Sequence, residues 1–157
     1  VAKLSEVFDL EQHHSSRVMG LIAEKQEAGT RALGVVFGGG VGYVLTPKSE
    51  EGLMALIDTE DSDALKALDV SVLHRVIFEK LLGVVGLDHI EYTRDSFKAV
   101  RGADLGAAAS FLMNPPTVDD MKEIAMGGEK MPQKSTYYFP KILSGLVIWS
   151  LNDFVNE

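Results

Sequence analysis

The sequence predicts an α+β fold: two layers, with a mixed β-sheet and helices packed mainly on one of its faces. Three observations predict it. Residues 32–37 and 41–46 flank Gly38-Gly39-Gly40, and Leu33, Val35 and Phe37, like Val41, Tyr43 and Leu45, alternate as in a β-hairpin. Val72, Leu73, Val76, Ile77 and Leu81 repeat at helical spacing. Residues 106–113 and 145–151 are apolar almost throughout, as strands covered on both sides are.

In chain order, Val1, Leu4, Val7 and Phe8 form a helical stripe that reads as the tail of a helix, and residues 9–12 read as a short strand. Ser15 or Ser16 is placed to cap the next helix, because a serine oxygen accepts an orphan backbone N–H. Val18, Leu21, Ile22 and Lys25 line one side of that helix, and Gly29 ends it. Glycine-rich turns also cradle phosphate, but a phosphate loop runs from strand to helix and carries a Lys-Ser/Thr pair. After Gly40 another strand follows and that pair is missing, so a plain hairpin turn is predicted.

Residues 49–57 form a short helix capped by Ser49, and the acidic residues 58–63 a solvated connector. Asp69 caps the clearest helix of the chain and Gly83 closes it. His74, Arg75 and Glu79 fall on its other side, which puts His74 at the surface or its boundary. Ile90 and Tyr92 alternate with His89, Glu91 and Thr93 as a short strand, and Asp95 or Ser96 opens a helix running to Gly102. Residues 107–112 then form a buried strand, broken by Asn114-Pro115-Pro116. Thr117 and Asp120 make a capping box for a helix bearing Val118, Met121, Ile124 and Ala125, which Gly127-Gly128 stops. Residues 146–150 form the last buried strand.

A chain of 157 residues suits a single domain spanning residues 1–157. Its formal charge of −8 argues against broad contact with a nucleic-acid backbone, so nucleic acid is not an expected partner. No run of about 18 apolar residues is present, so no membrane partner is expected. No signal-peptide pattern opens the chain. The absence of cysteine rules out disulfides and thiolate chemistry and fits a reducing compartment, so a cytoplasmic location is expected. The chain starts at Val1 on what reads as the end of an element, which suggests a C-terminal fragment of a longer protein.

One stretch departs from the acidic average. Residues 130–152 hold three lysines and no carboxylate. Lys134, Ser135, Thr136 and Lys141 are the candidate anion- or phosphate-binding residues: an ammonium meets phosphate as a compact charge, and hydroxyls and backbone N–H groups add donors. Pro132 and Pro140 lower the entropy cost of ordering the segment, and Leu112, Met131 and Phe139 are placed to anchor it. The plainer alternative is an extended connector kept soluble by its lysines. His89, Glu91 and Asp95 form a secondary polar cluster, suited either to acid–base work or to a solvated edge, and the edge is favoured. His13-His14 beside Glu11 is a weak metal candidate, since adjacent side chains of an extended segment point apart, and no metal is predicted. No nucleophile–base pair can be read from spacing.

The run Asn114-Pro115, then Ile124-Ala125, then Gly128-Glu129-x-Met131-Pro132-x-Lys134-Ser135-Thr136-Tyr137-x-Phe139-Pro140-Lys141 and Ser144-Gly145-Leu146-Val147 resembles the C-terminal signature of a prokaryotic domain-of-unknown-function family, number one-zero-one-five. Leu68-Asp69-Val70, Leu73-His74 and Leu81-Leu82-Gly83 are similar to that family's preceding helix, and Ile90-x-Tyr92 to its next strand. The likeness runs from about Phe8 onward and is specific only in the Lys-Ser-Thr-Tyr segment. It implies longer proteins, whose N-terminal half would be this chain's partner.

The family carries a loose ParB-like, chromosome-partitioning label, and an analogy with ParB-like free-serine kinases. The resemblance thus implies a phosphotransferase using a nucleotide in the full-length protein, with no cofactor held by this stretch alone and a small phosphorylated ligand as partner. By itself the chain is expected to be inactive. The alternative is a non-catalytic assembly or regulatory module, related to partitioning or transcription, although no helix-turn-helix is evident.

Overall fold

The structure is a computed structural model and describes residues 1–86 and 88–136. After a 3₁₀ turn at Leu4–Glu6 come β1 (Phe8–His14), α1 (Ser15–Glu27), β2 (Leu33–Phe37), β3 (Val41–Pro47), α2 (Glu50–Ala55), α3 (Asp63–Lys66) and α4 (Asp69–Ser71). The last runs straight into a π-helix, Val72–Leu82, and α5 (Ser96–Asp104), β4 (Ser110–Leu112) and α6 (Val118–Met126) follow.

The α+β class holds: helices pack against a four-stranded sheet of order β1-β3-β2-β4. Two finer expectations change. Among the described residues every strand pairing is antiparallel, so this sheet is not mixed. Helices also cover both faces rather than mainly one. The cause is visible in β2, where Leu33 and Val35 face one side while Val36 faces the other. Both faces are apolar, so both must be covered. On the first lie Leu53 and Ile57 together with Val72, Leu73, Val76, Ile77 and Phe78 of the π-helix. On the second lie Val18 and Ile22 of α1 and Ala103 of α5, against Val36, Val44 and Leu112.

Glycines at Gly34 and Gly42 let α1 come close to the sheet. A methyl group at Gly42 would meet Val18 Cγ2 at 2.6 Å, and one at Gly34 would meet Val18 Cγ1 closer still. The hairpin turn falls at Gly38-Gly39-Gly40 as predicted, with Phe37 opposite Val41, and Gly39 and Gly40 have φ of +80° and +77°. The Gly39 N–H donates to Asp104 Oδ1 at 3.0 Å, which ties the hairpin tip to the end of α5.

Several boundaries differ from the sequence reading. α1 is capped by His14, whose Nδ1 accepts from the Ser16 N–H, because the Ser15 N–H donates to the Gly40 carbonyl. Leu68, not Asp69, is the N-cap of α4, and Asp69 sits in its first turn. Residues 90–92 form no strand. Residues 107–109 form none either, and the strand is only Ser110–Leu112 at the β4 edge position. Alanine gives a strand little side chain to pack, and Ala107 and Ala108 are exposed. Ser49, Asp95 and the Thr117–Asp120 capping box act as predicted. The expected strand at residues 146–150 lies outside the described residues.

A third cluster joins Leu65, Leu68, Val70 and Ile124, with Met113 and Met131 packed on it. Asn114 is buried beside it and donates from Nδ2 to the carbonyl of Ile22 at 3.0 Å.

Candidate functional site

The lysine-bearing segment begins where α6 ends, at Gly127, with Gly128 turning the chain at φ +80°. Met131 anchors it to the third cluster, as the sequence suggested. A tight turn follows: the Pro132 carbonyl accepts both from the Ser135 N–H, at 3.3 Å, and from the Ser135 hydroxyl, at 2.6 Å. Lys134 stands at its corner with φ +66°, the only non-glycine residue with positive φ among those described. It is exposed, Ser135 and Thr136 are half-buried, and Lys141 lies outside the described residues. The Ser135 hydroxyl proton is therefore already engaged by Pro132.

Pro132 and Gln133 form one side of a groove of about 400 Å³. Ile57, Leu65 and Val70 supply its apolar lining. Ser71, His74, Arg75 and Glu79 line it from the helix, and Tyr92, Asp61 and Lys66 complete the lining. The winding of the helix matters here. A π-helix closes i→i+5 hydrogen bonds, which shifts later residues around the axis. Phe78 is thereby buried in the core while Glu79, five residues after His74, lines the groove.

His74 and Tyr92 are the most constrained pair. Their rings stack at 18° with centroids 6.1 Å apart, and the Tyr92 hydroxyl lies 3.2 Å from His74 Nε2. Burial holds the His74 pKa below its ordinary value, with a smaller opposing effect from Glu79, and burial raises that of Tyr92. The phenol is then protonated and the imidazole neutral, and the two share one hydrogen bond whose donor is set by the imidazole tautomer. Behind His74, Phe78 meets it edge-on at 5.3 Å, and Phe111 of β4 meets Phe78 edge-on at 5.2 Å, so the pair is backed by an aromatic row into the core.

Lys66 and Arg75 supply the cations of the groove, and Asp61 and Glu79 its carboxylates. Arg75 pairs with Glu79 through NH1 alone, at 3.0 and 3.3 Å, which leaves the rest of the guanidinium fork for a ligand. Ser71 donates its hydroxyl to the Leu65 carbonyl and is not a donor into the groove. A second depression, lined by Glu60, Asp63, Glu123 and Glu129, is acidic and unsuited to anions. There Glu129 accepts from the Ser62 N–H at 2.8 Å, so the acidic connector also fastens the end of α6.

The secondary cluster is not gathered into a site. Glu91 pairs with Lys98 at 3.0 Å, Asp95 caps α5, and His89 is exposed. Glu11 lies 3.8 Å from His13 but is held by Lys25 at 2.7 Å. Among the described residues no group of three or more His, Asp or Glu side chains is arranged to hold a metal ion. No described helix is long and apolar enough to cross a membrane. Sequence reasoning missed Lys66, Arg75, His74 and Tyr92 as neighbours. The one available signal was that His74 and Arg75 lie on the polar side of the clearest helix. Comparison with protein-family models, curated proteins and solved structures gives no match, so the likeness drawn from the Lys-Ser-Thr-Tyr segment rests on those residues alone.

Proposed function

We propose that this chain is the ligand-binding part of a cytosolic small-molecule enzyme and holds a phosphorylated metabolite or nucleotide. The observation that supports the reading is the groove in which the guanidinium of Arg75 and the ammonium of Lys66 border an apolar lining beside the Pro132–Gln133 turn. In that role the chain contributes positioning and charge, which is most of what phosphoryl transfer asks of a protein. Arg75 and Lys66 take phosphate oxygens, and Lys134, Thr136 and Lys141 add cations and a donor from the adjoining segment. The resemblance of residues 114–147 to the one-zero-one-five family points the same way, toward a free-serine-kinase-like activity in a longer protein.

The test is titration of the protein with ATP, ADP and phosphoserine at low and at physiological ionic strength, where screening separates charge-driven binding from the rest. Arg75→Ala is expected to weaken binding about tenfold, the effect of losing one charge-assisted hydrogen bond. Unchanged affinity in both Lys134→Ala and Lys141→Ala reduces the lysine segment to a connector. No binding by any of the three ligands sinks the reading. One observation favours a second reading, a non-catalytic assembly module: Phe97 is 86% exposed, and Val118 and Met126 are exposed as well. Sedimentation that shows self-association, lost in Phe97→Ser, would decide for it.

A further inference from the structure

We infer that the groove selects a ligand carrying a planar ring together with its anionic group, a nucleoside phosphate, with the ring against Tyr92 and the phosphate toward Arg75 and Lys66. This rests on the reading that the groove binds a phosphorylated ligand, and narrows it to one class.

Three features of the groove carry the inference. First, the lining is mixed. Ile57, Leu65 and Val70 are apolar, while Arg75 and Lys66 bring positive charge beside the carboxylates of Asp61 and Glu79. A bare phosphorylated hydroxy acid or sugar satisfies only the charged part and leaves water on the apolar residues, whereas a nucleoside phosphate covers both. The volume of about 400 Å³ lies in the range that encloses a ligand of that size rather than phosphate alone.

Second, Tyr92 is already immobilised. It lies in a segment outside helix and strand, yet its ring is stacked on His74 and its hydroxyl bonds to Nε2 of the same residue. Two contacts to one partner fix both the plane and the direction of the ring. The rotamer entropy that stacking a base would otherwise cost is therefore largely removed beforehand. His74 in turn is wedged against Phe78 in the core, so the platform is continuous with the rigid part of the molecule.

Third, the helix that carries His74 and Arg75 is wound as a π-helix over Val72–Leu82. Such winding has poorer backbone geometry than an α-helix and recurs at functional sites. In this helix Glu79, five residues after His74, shares the groove with it, and it holds Arg75 by NH1, which leaves the other guanidinium donors open to a ligand.

The experiment is calorimetric titration of the protein with ADP, ribose 5-phosphate and inorganic phosphate, in wild type, Tyr92→Leu and Arg75→Ala. Tyr92→Leu keeps an apolar side chain and removes the ring. The expected result is that ADP binds more tightly than ribose 5-phosphate, that Tyr92→Leu weakens ADP about five- to a hundredfold, and that the same change leaves ribose 5-phosphate within twofold. Arg75→Ala is expected to weaken all three ligands. If ribose 5-phosphate binds as tightly as ADP, or Tyr92→Leu weakens both alike, the inference fails while phosphate binding stands. If none of the three binds to wild type, the inference and the reading beneath it fall together. Tyr92→Phe, which keeps the ring, guards against a folding defect: it must retain more ADP affinity than Tyr92→Leu, and the reverse order overturns the inference.

Discussion

Gly34 and Gly20 show how one residue type can be required at one position and replaceable at another. Gly34 faces Val18 with no room for a methyl group, and Leu112 Cβ lies 3.1 Å from where that methyl would sit. Gly20, two residues beyond Val18 on α1, has nothing within 4 Å. Gly34→Ala is expected to destabilise the fold by about 1–3 kcal/mol through overpacking. Gly20→Ala is expected to stabilise it by about 0.5–1 kcal/mol through helix propensity. Urea denaturation of the two variants checks both signs. Equal effects would mean that the close approach of α1 to β2 is wrong. The glycines of β2 and β3 read in the sequence only as gaps in an alternating pattern, because a close approach needs two partners and the sequence displays one at a time. Lys134 was legible by its charge and its place after a proline, but its positive φ was not, since nothing local calls for that backbone in a lysine.

At the level of elements, what was legible follows local rules, and what was not follows partners distant in the chain. The hairpin, the Ser49 and Asp95 caps and the Thr117–Asp120 box are all decided within a few residues. The apolar period of residues 72–81 announced a helix but could not announce its π winding, which depends on what the helix packs against. Ile90 and Tyr92 have the alternation of a strand, yet they find no ladder, and Tyr92 binds a histidine 18 positions earlier instead. The groove was hidden for the same reason, since it draws on residues between Ile57 and Gln133.

That histidine makes the π-helix sensitive to acid. Burial keeps the His74 pKa below its ordinary 6.5, so between the two values the unfolded chain holds more protons than the folded one. The stability due to neutral His74 is fully present above about pH 6.5 and is lost as pH falls through the folded value. Urea midpoints measured at pH 7.5 and at successively lower pH are expected to fall in wild type, with that component missing in His74→Gln. A wild type and variant that decline in parallel would show that His74 is not the group concerned.

At the scale of the whole molecule, Arg31 ties separate parts together. From just before β2 it reaches Glu50 of α2 at 3.1 Å and Asp69 of α4 at 2.6 Å, and both Arg31 and Asp69 are mostly buried. Burial raises the Asp69 pKa, and Arg31 opposes that rise. Arg31→Met leaves the carboxylate buried without its partner and is expected to cost on the order of 3 kcal/mol at neutral pH. The sign with pH is opposite to that of His74. A carboxyl with a raised folded pKa contributes stability below its unfolded value, near 3.8, and loses it as pH rises. The deficit of Arg31→Met should therefore shrink as pH falls toward 4, and a deficit that is constant with pH would contradict the assignment. The strand order has a consequence of another kind, in the sequence of events by which the chain folds. β2 and β3 meet across a three-glycine turn, while β4 reaches β2 by pairing Ser110, Phe111 and Leu112 with Val36, Val35 and Gly34, across most of the described chain. Closing so long a loop is entropically the late step. The hairpin and α1 then form a template that waits for residues 110–112. Pulse-labelled amide exchange during refolding should protect Val44 well before Leu112, and simultaneous protection would mean that the sheet assembles as one unit.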